Sequence, residues 1–144
     1  MKLSSLLIGA SFALVVAAVL MLILGVHFRA PLPVQGAALY DPAKEVLVEG
    51  VVTESLDFAC PVSEGEIGTH LIVKTAKGLV QVHLAPARIL RSQKIAYHAG
   101  ETISVVGASV PMIGGHDVIA REITRNNETN LLRDPKGNLL LTQY

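Results

Sequence analysis

The sequence predicts an all-β fold, a five-stranded Greek-key barrel of the OB type with one short helix, preceded by a single N-terminal transmembrane helix. Three observations predict it. Two runs that alternate with a period of two, Thr69-His-Leu-Ile-Val-Lys-Thr75 and Leu79-Val-Gln-Val-His-Leu84, flank Ala76-Lys77-Gly78 and read as a hairpin. Around them the order is three strands, a short helix and two strands within residues 45–125, which is how an OB barrel runs. Before them, Leu3 to Val26 is uncharged and long enough for a bilayer, which takes about 20 apolar residues. A small β-sandwich is the alternative to the barrel.

Residues 1–28 are read as a retained anchor, with a cleaved signal peptide as the alternative. The apolar run exceeds the usual signal-peptide core, and cleavage after Ala30 would place Pro31 beside the cut. No cysteine closes the run, so lipid attachment there is excluded. Lys2 and the α-amino group favour an N-terminus in the cytoplasm, which puts the domain in the periplasm or outside, on the inner (cytoplasmic) membrane. Residues 29–44, with Pro31, Pro33, Gly36 and Pro42, form a tether.

Val46 to Glu54 is the first strand, rich in β-branched residues and interrupted by Gly50, which predicts a bulge or bend. Leu56 to Gly68 reads as a loop. In the hairpin, a Lys77-Gly78 turn sets Leu71, Val73 and Thr75 opposite Leu84, Val82 and Val80 on an aliphatic inward face. His70, Ile72, Lys74, Gln81 and His83 share the other face. Pro86 suits the first turn of a helix that Ala87 to Lys94 completes. Thr102 to Gly107 and Val118 to Thr124 are the last two barrel strands, joined through a Gly114-Gly115 turn. Residues 126–144 form a tail with a small hairpin turning at Asp134-Pro-Lys-Gly137.

Twelve basic residues balance twelve acidic ones, so the basic footprint of a nucleic-acid binder is missing. Aromatic residues make up 4% of the chain, with no tryptophan, which removes the stacking platforms that single-stranded nucleic acid wants. Nucleic acid is therefore the least favoured partner. Cys60 is the one cysteine, which excludes an intrachain disulfide and a cysteine metal cluster. No phosphate loop or His-Glu-x-x-His motif occurs, and Ser104 and Ser109 have no His-acid arrangement near them in sequence. No enzymatic activity and no cofactor are expected.

His70 and His83 are the metal candidates. In the register above they are diagonal neighbours, a spacing at which two imidazoles share a transition metal; the alternative is a pair of half-exposed strand residues. Cys60 in the preceding loop reads as structural. Lys74 and Gln81 on the outward face, with Arg88 and Arg91 on the helix, are the candidates for a ligand face. Arg88, Arg91 and Lys94 make a basic stripe, read as a solvated helix face. The expected function is a membrane-tethered, envelope-facing binding or adaptor module without catalytic activity. Its partners would be the bilayer through residues 3–26 and an envelope protein or small ligand. The alternative is a metal- or haem-handling periplasmic carrier, and a second alternative is a single-stranded nucleic-acid-binding OB domain.

Tyr40-Asp-Pro42, Glu49-Gly-Val-Val52, Gly68-Thr-His-Leu71, Val82-His-Leu-Ala-Pro86, Gly100-Glu101, Val105-Val-Gly107 and Ala120-Arg-Glu-Ile123 follow one another in an order that resembles small exported bacterial OB-type domains. That resemblance implies fold and export and brings no activity with it. The layout is also similar to the haem chaperone of cytochrome c maturation, an N-terminal anchor followed by a periplasmic OB barrel. That family attaches haem through a histidine just after its last barrel strand. The corresponding stretch here, Ile119-Ala-Arg-Glu122, has glutamate at that place.

Overall fold

The computed structural model describes residues 39–141, apart from residues 64, 113 and 114; the expected anchor and residues 29–38 of the tether lie outside the described residues. Among the described residues no helix is long and apolar enough to cross a membrane. Six strands and one helix follow in order: β1 (Glu45–Ala59), β2 (Ile67–Thr75), β3 (Gly78–Pro86), α1 (Ala87–Ser92), β4 (Thr102–Met112), β5 (Gly115–Arg125) and β6 (Glu128–Leu131). The strands form one sheet in the order β3-β2-β1-β4-β5-β6, and a parallel β3–β5 pairing closes the first five into a barrel. The expected all-β class, five-strand closure and helix between the third and fourth strands are all present.

Closure depends on the length of β1. Glu45 to Val51 pair with β4, and Val51 to Ala59 pair with β2, with a register shift between Val52 and Glu54. Gly50 sits at the crossing, where a Cβ would lie 2.3 Å from the carbonyl oxygen of Lys74. β1 therefore continues through Leu56 to Ala59, which the sequence assigns to a loop. Every residue from Thr53 to Ala59 is exposed, so no buried face imprints an alternation on that stretch.

The hairpin turns at Ala76-Lys77 rather than Lys77-Gly78. Thr75 fixes it, since its hydroxyl donates to the Gly78 carbonyl (2.8 Å) and accepts from the Lys77 N–H (3.1 Å). The pairing is thereby Leu71↔Val82, Ile72↔Gln81 and Val73↔Val80, a slip of two residues from the expected register. A slip of two preserves the faces, so the inward set is unchanged. Leu71, Val73, Val82 and Leu84 join Val52, Ile103, Val105, Ile123 and Leu132 in the main core. Each fully buried Val, Leu or Ile contributes about 1.5–3 kcal/mol.

α1 is shorter than expected because Lys94 takes a left-handed conformation (φ 56°) just after it. The tail folds onto the barrel: the backbones of Asp134 and Asn138 pair (2.9 Å), and Leu132, fully buried, belongs to the barrel core.

Candidate metal centre

The end of the hairpin's outward face that carries His70 and His83 is a second buried compartment. The shifted register sets His70 directly opposite His83 rather than diagonal to it. Both are buried, at 0% and 2% exposure, so neither is the half-exposed strand residue that the alternating pattern suggests. The cover comes from chain segments far apart in sequence. Tyr40, Cys60, Val62, Ala108, Val110 and Ile119 form an apolar cluster outside the barrel proper, with Leu39 and Met112 packed against it. Tyr40 is tied down by its hydroxyl, which donates to Glu45 (2.5 Å), while Arg121 on β5 holds the same carboxylate (2.8 Å). Burial and the Glu45 carboxylate push the Tyr40 phenol up to about 12.

Cys60 enters this compartment through the loop between β1 and β2. Its N–H donates to the Glu66 carbonyl (2.9 Å), and its own carbonyl accepts from Ser63 and Gly65 (3.1 Å each), which closes a 3-10 turn over Pro61–Ser63. Gly68 makes room for it: a Cβ there would stand 2.7 Å from the Cys60 Cβ. With the loop seated, one donor atom from each of Cys60, His70 and His83 lies within 4.8 Å of the others.

The two histidines are held differently. His83 Nε2 donates to Asp117 Oδ2 (2.7 Å), and Gln81 donates to the same oxygen (3.0 Å). That bond directs His83 Nδ1 at Cys60 Sγ, 3.3 Å away. A carboxylate that orients an imidazole by its far nitrogen is the outer partner usual for metal-binding histidines. His70 is gripped by rings: Phe58 stacks on it at 3.7 Å between centroids, and the His83 ring stands edge-on at 4.6 Å. Neither His70 nitrogen has a hydrogen-bond partner. Buried polar atoms are ordinarily satisfied, and each one left bare costs about 1–3 kcal/mol.

Burial opposes ionisation of the Cys60 thiol, but the imidazoles of His70 and His83 beside it outweigh burial and bring it down to about 5. Burial likewise works against a charged His83, yet its contacts with Cys60 and Asp117 raise its pKa. Cys60 and His83 thus favour each other's charged form, thiolate beside imidazolium.

Arg133, at 5% exposure, closes the other side. One guanidinium nitrogen donates to the carbonyls of both Leu84 on β3 and Ala120 on β5 (2.5 Å each). It bridges the two strands just beyond the end of their short parallel ladder, Val82↔Val118 and His83↔Ile119. Burial pulls its pKa down to about 10, so it remains a cation.

The structure brings His70 and His83 together and adds Cys60, which sequence reasoning left in its loop, and Asp117, which it did not single out. The signal for Cys60 was Gly68, eight residues on, whose need for a bare Cα has no strand role. Of the ligand-face candidates, Gln81 reaches the site through Asp117, whereas Lys74 is exposed at the far end of β2. Arg88 lies along Glu66 in a two-nitrogen contact (3.2 and 3.3 Å), and Arg91 pairs with Asp57. Both arginines face solvent, bound to acidic residues of the β1–β2 region rather than to the site.

With this geometry in view, comparison with known families is informative. The sequence model of the MamS/MamX magnetosome protein family matches residues 45–130, from the first residue of β1 almost to the end of β6. The chain belongs to the MamS/MamX magnetosome protein family. The match spans Cys60, His70, His83 and Asp117 and stops short of Arg133. The match names neither an OB-type domain nor the haem chaperone. No curated protein matches the chain.

Proposed function

We propose that this member of the MamS/MamX family is a magnetosome-associated, non-catalytic metal-binding module, with a barrel of the OB type held at a membrane by residues 1–28. The OB reading is supported by the antiparallel path β3-β2-β1-β4-β5, its parallel closure and the position of α1. The metal reading is carried by one observation: a fully buried imidazole, His70, with both nitrogens bare, beside a thiol and a second imidazole already oriented by a carboxylate. An ion fits this better than haem, because one donor atom of each residue lies within 4.8 Å of the others, all three residues are buried, and Phe58 stacks over His70. Elemental analysis of the purified full-length chain tests it. One transition-metal ion per chain is expected, and less than stoichiometric metal in the Cys60→Ser variant. Equal metal content in both removes the reading.

A second reading rests on the same bonds. Cys60, His83 and Asp117 have the connectivity of a nucleophile, a base and the group that orients it. Against it stands the 2% exposure of Cys60, which leaves a substrate no approach to Sγ. Iodoacetamide distinguishes the two: slow labelling of the folded chain favours the metal site, and fast labelling with a one-to-one loss of thiol favours a nucleophile.

A further inference from the structure

Resting on the metal reading above, we propose that the ion held by Cys60, His70 and His83 is monovalent copper rather than zinc. The donor set comes first: one soft thiolate with two imidazoles suits copper(I) and zinc alike, and harder oxygen-seeking ions poorly. Coordination number then separates the two. Among the described residues the cluster has three members, and the nearby carboxylate of Asp117 is engaged by His83 and Gln81. Zinc in structural sites takes four ligands, and in open sites three plus a water. Here the three ligands are 0–2% exposed and His70 lies under the Phe58 ring, so a fourth ligand from solvent has no route. Copper(I) is content with three.

The test is a competition on the full-length chain under anaerobic conditions, with copper(I) supplied as its bicinchoninate complex and Zn²⁺ present in molar excess. The expected result is one copper(I) per chain, withdrawn from bicinchoninate and not displaced by zinc. Its X-ray absorption spectrum should show three-coordinate copper with one sulfur and two nitrogen neighbours. Cys60→Ser and His70→Asn should abolish the withdrawal while circular dichroism shows the barrel intact. Asp117→Asn, which leaves all three ligands in place, should weaken it about 10–100-fold, and carries the test if either ligand variant fails to fold. Zinc that displaces copper from these residues overturns the copper assignment and leaves the metal site standing. Binding of both ions that ignores Cys60 and His70 overturns the metal site itself.

Discussion

At the level of His70 and His83 the two faces of the β2–β3 hairpin are both buried, for opposite reasons. The inward face, Leu71, Val73, Val82 and Leu84, is apolar and packs against other strands of the same barrel. The outward face carries His70 and His83, and what buries them is a loop, a segment ahead of β1 and the ends of β4 and β5. One face is closed by the fold itself. The other is closed by additions that a bare barrel does not need, and they meet around Cys60, His70 and His83. A compartment built at that cost around an unsatisfied imidazole points to a ligand rather than to stability.

The sharpest way to break the comparison is to put a charge on each face. Val82→Asp buries a carboxylate among aliphatic side chains, and the thermal transition of the barrel should be lost, because an unpaired buried charge is not tolerated. Gln81→Asp on the opposite face is not a silent control, since Gln81 donates to Asp117 and the new carboxylate would face it. It should leave the barrel folded and weaken metal uptake, measured by the same elemental analysis.

Arg133→Leu comes next in size. It strips the donor from two buried carbonyls, each costing about 1–3 kcal/mol when unsatisfied. Urea denaturation should show a destabilisation of about 2–6 kcal/mol on that principle. Gly68→Ala aims at the outward face alone. Its Cβ would press on Cys60 from 2.7 Å, so stability should fall by about 1–3 kcal/mol, as for an overpacked site, and metal stoichiometry should fall with it. Full metal occupancy in Gly68→Ala would show that the loop does not need its observed seat.

The smallest effect concerns pH. Arg121 and then Tyr40 hold the Glu45 carboxyl below its ordinary value. A carboxyl whose pKa is lowered by folding contributes stability that is present above its unfolded value, near 4.5, and is lost as the pH falls through the folded one. The wild-type thermal midpoint should therefore drop on acidification below about pH 4.5 more steeply than that of Glu45→Gln. Parallel curves would mean that the Tyr40–Glu45–Arg121 group does not hold the cover in place.

Much of the inward face could be read from sequence, because burial against one apolar layer writes a period of two into the strands. That pattern survives a two-residue slip, which is why the core residues were legible while the turn was not: Thr75, through its own hydroxyl, chose the turn. The outward face left a fainter trace. His70 and His83 share it by parity, but their burial depends on Cys60, Tyr40 and Asp117, which no local period connects to the hairpin. Arg133 was hidden for the same reason, since a single basic residue in a polar tail looks solvated until the tail is folded back.

The central claim is that Cys60, His70 and His83 hold one ion together, and anaerobic copper(I) spectroscopy tests it most directly. Titrated into the full-length chain, copper(I) should produce an ultraviolet thiolate-to-copper charge-transfer band that saturates at one equivalent. Cys60→Ser should lack the band, and His70→Asn should lose the one-to-one saturation. A wild-type spectrum without the band, or one that His70→Asn leaves unchanged, would contradict the claim.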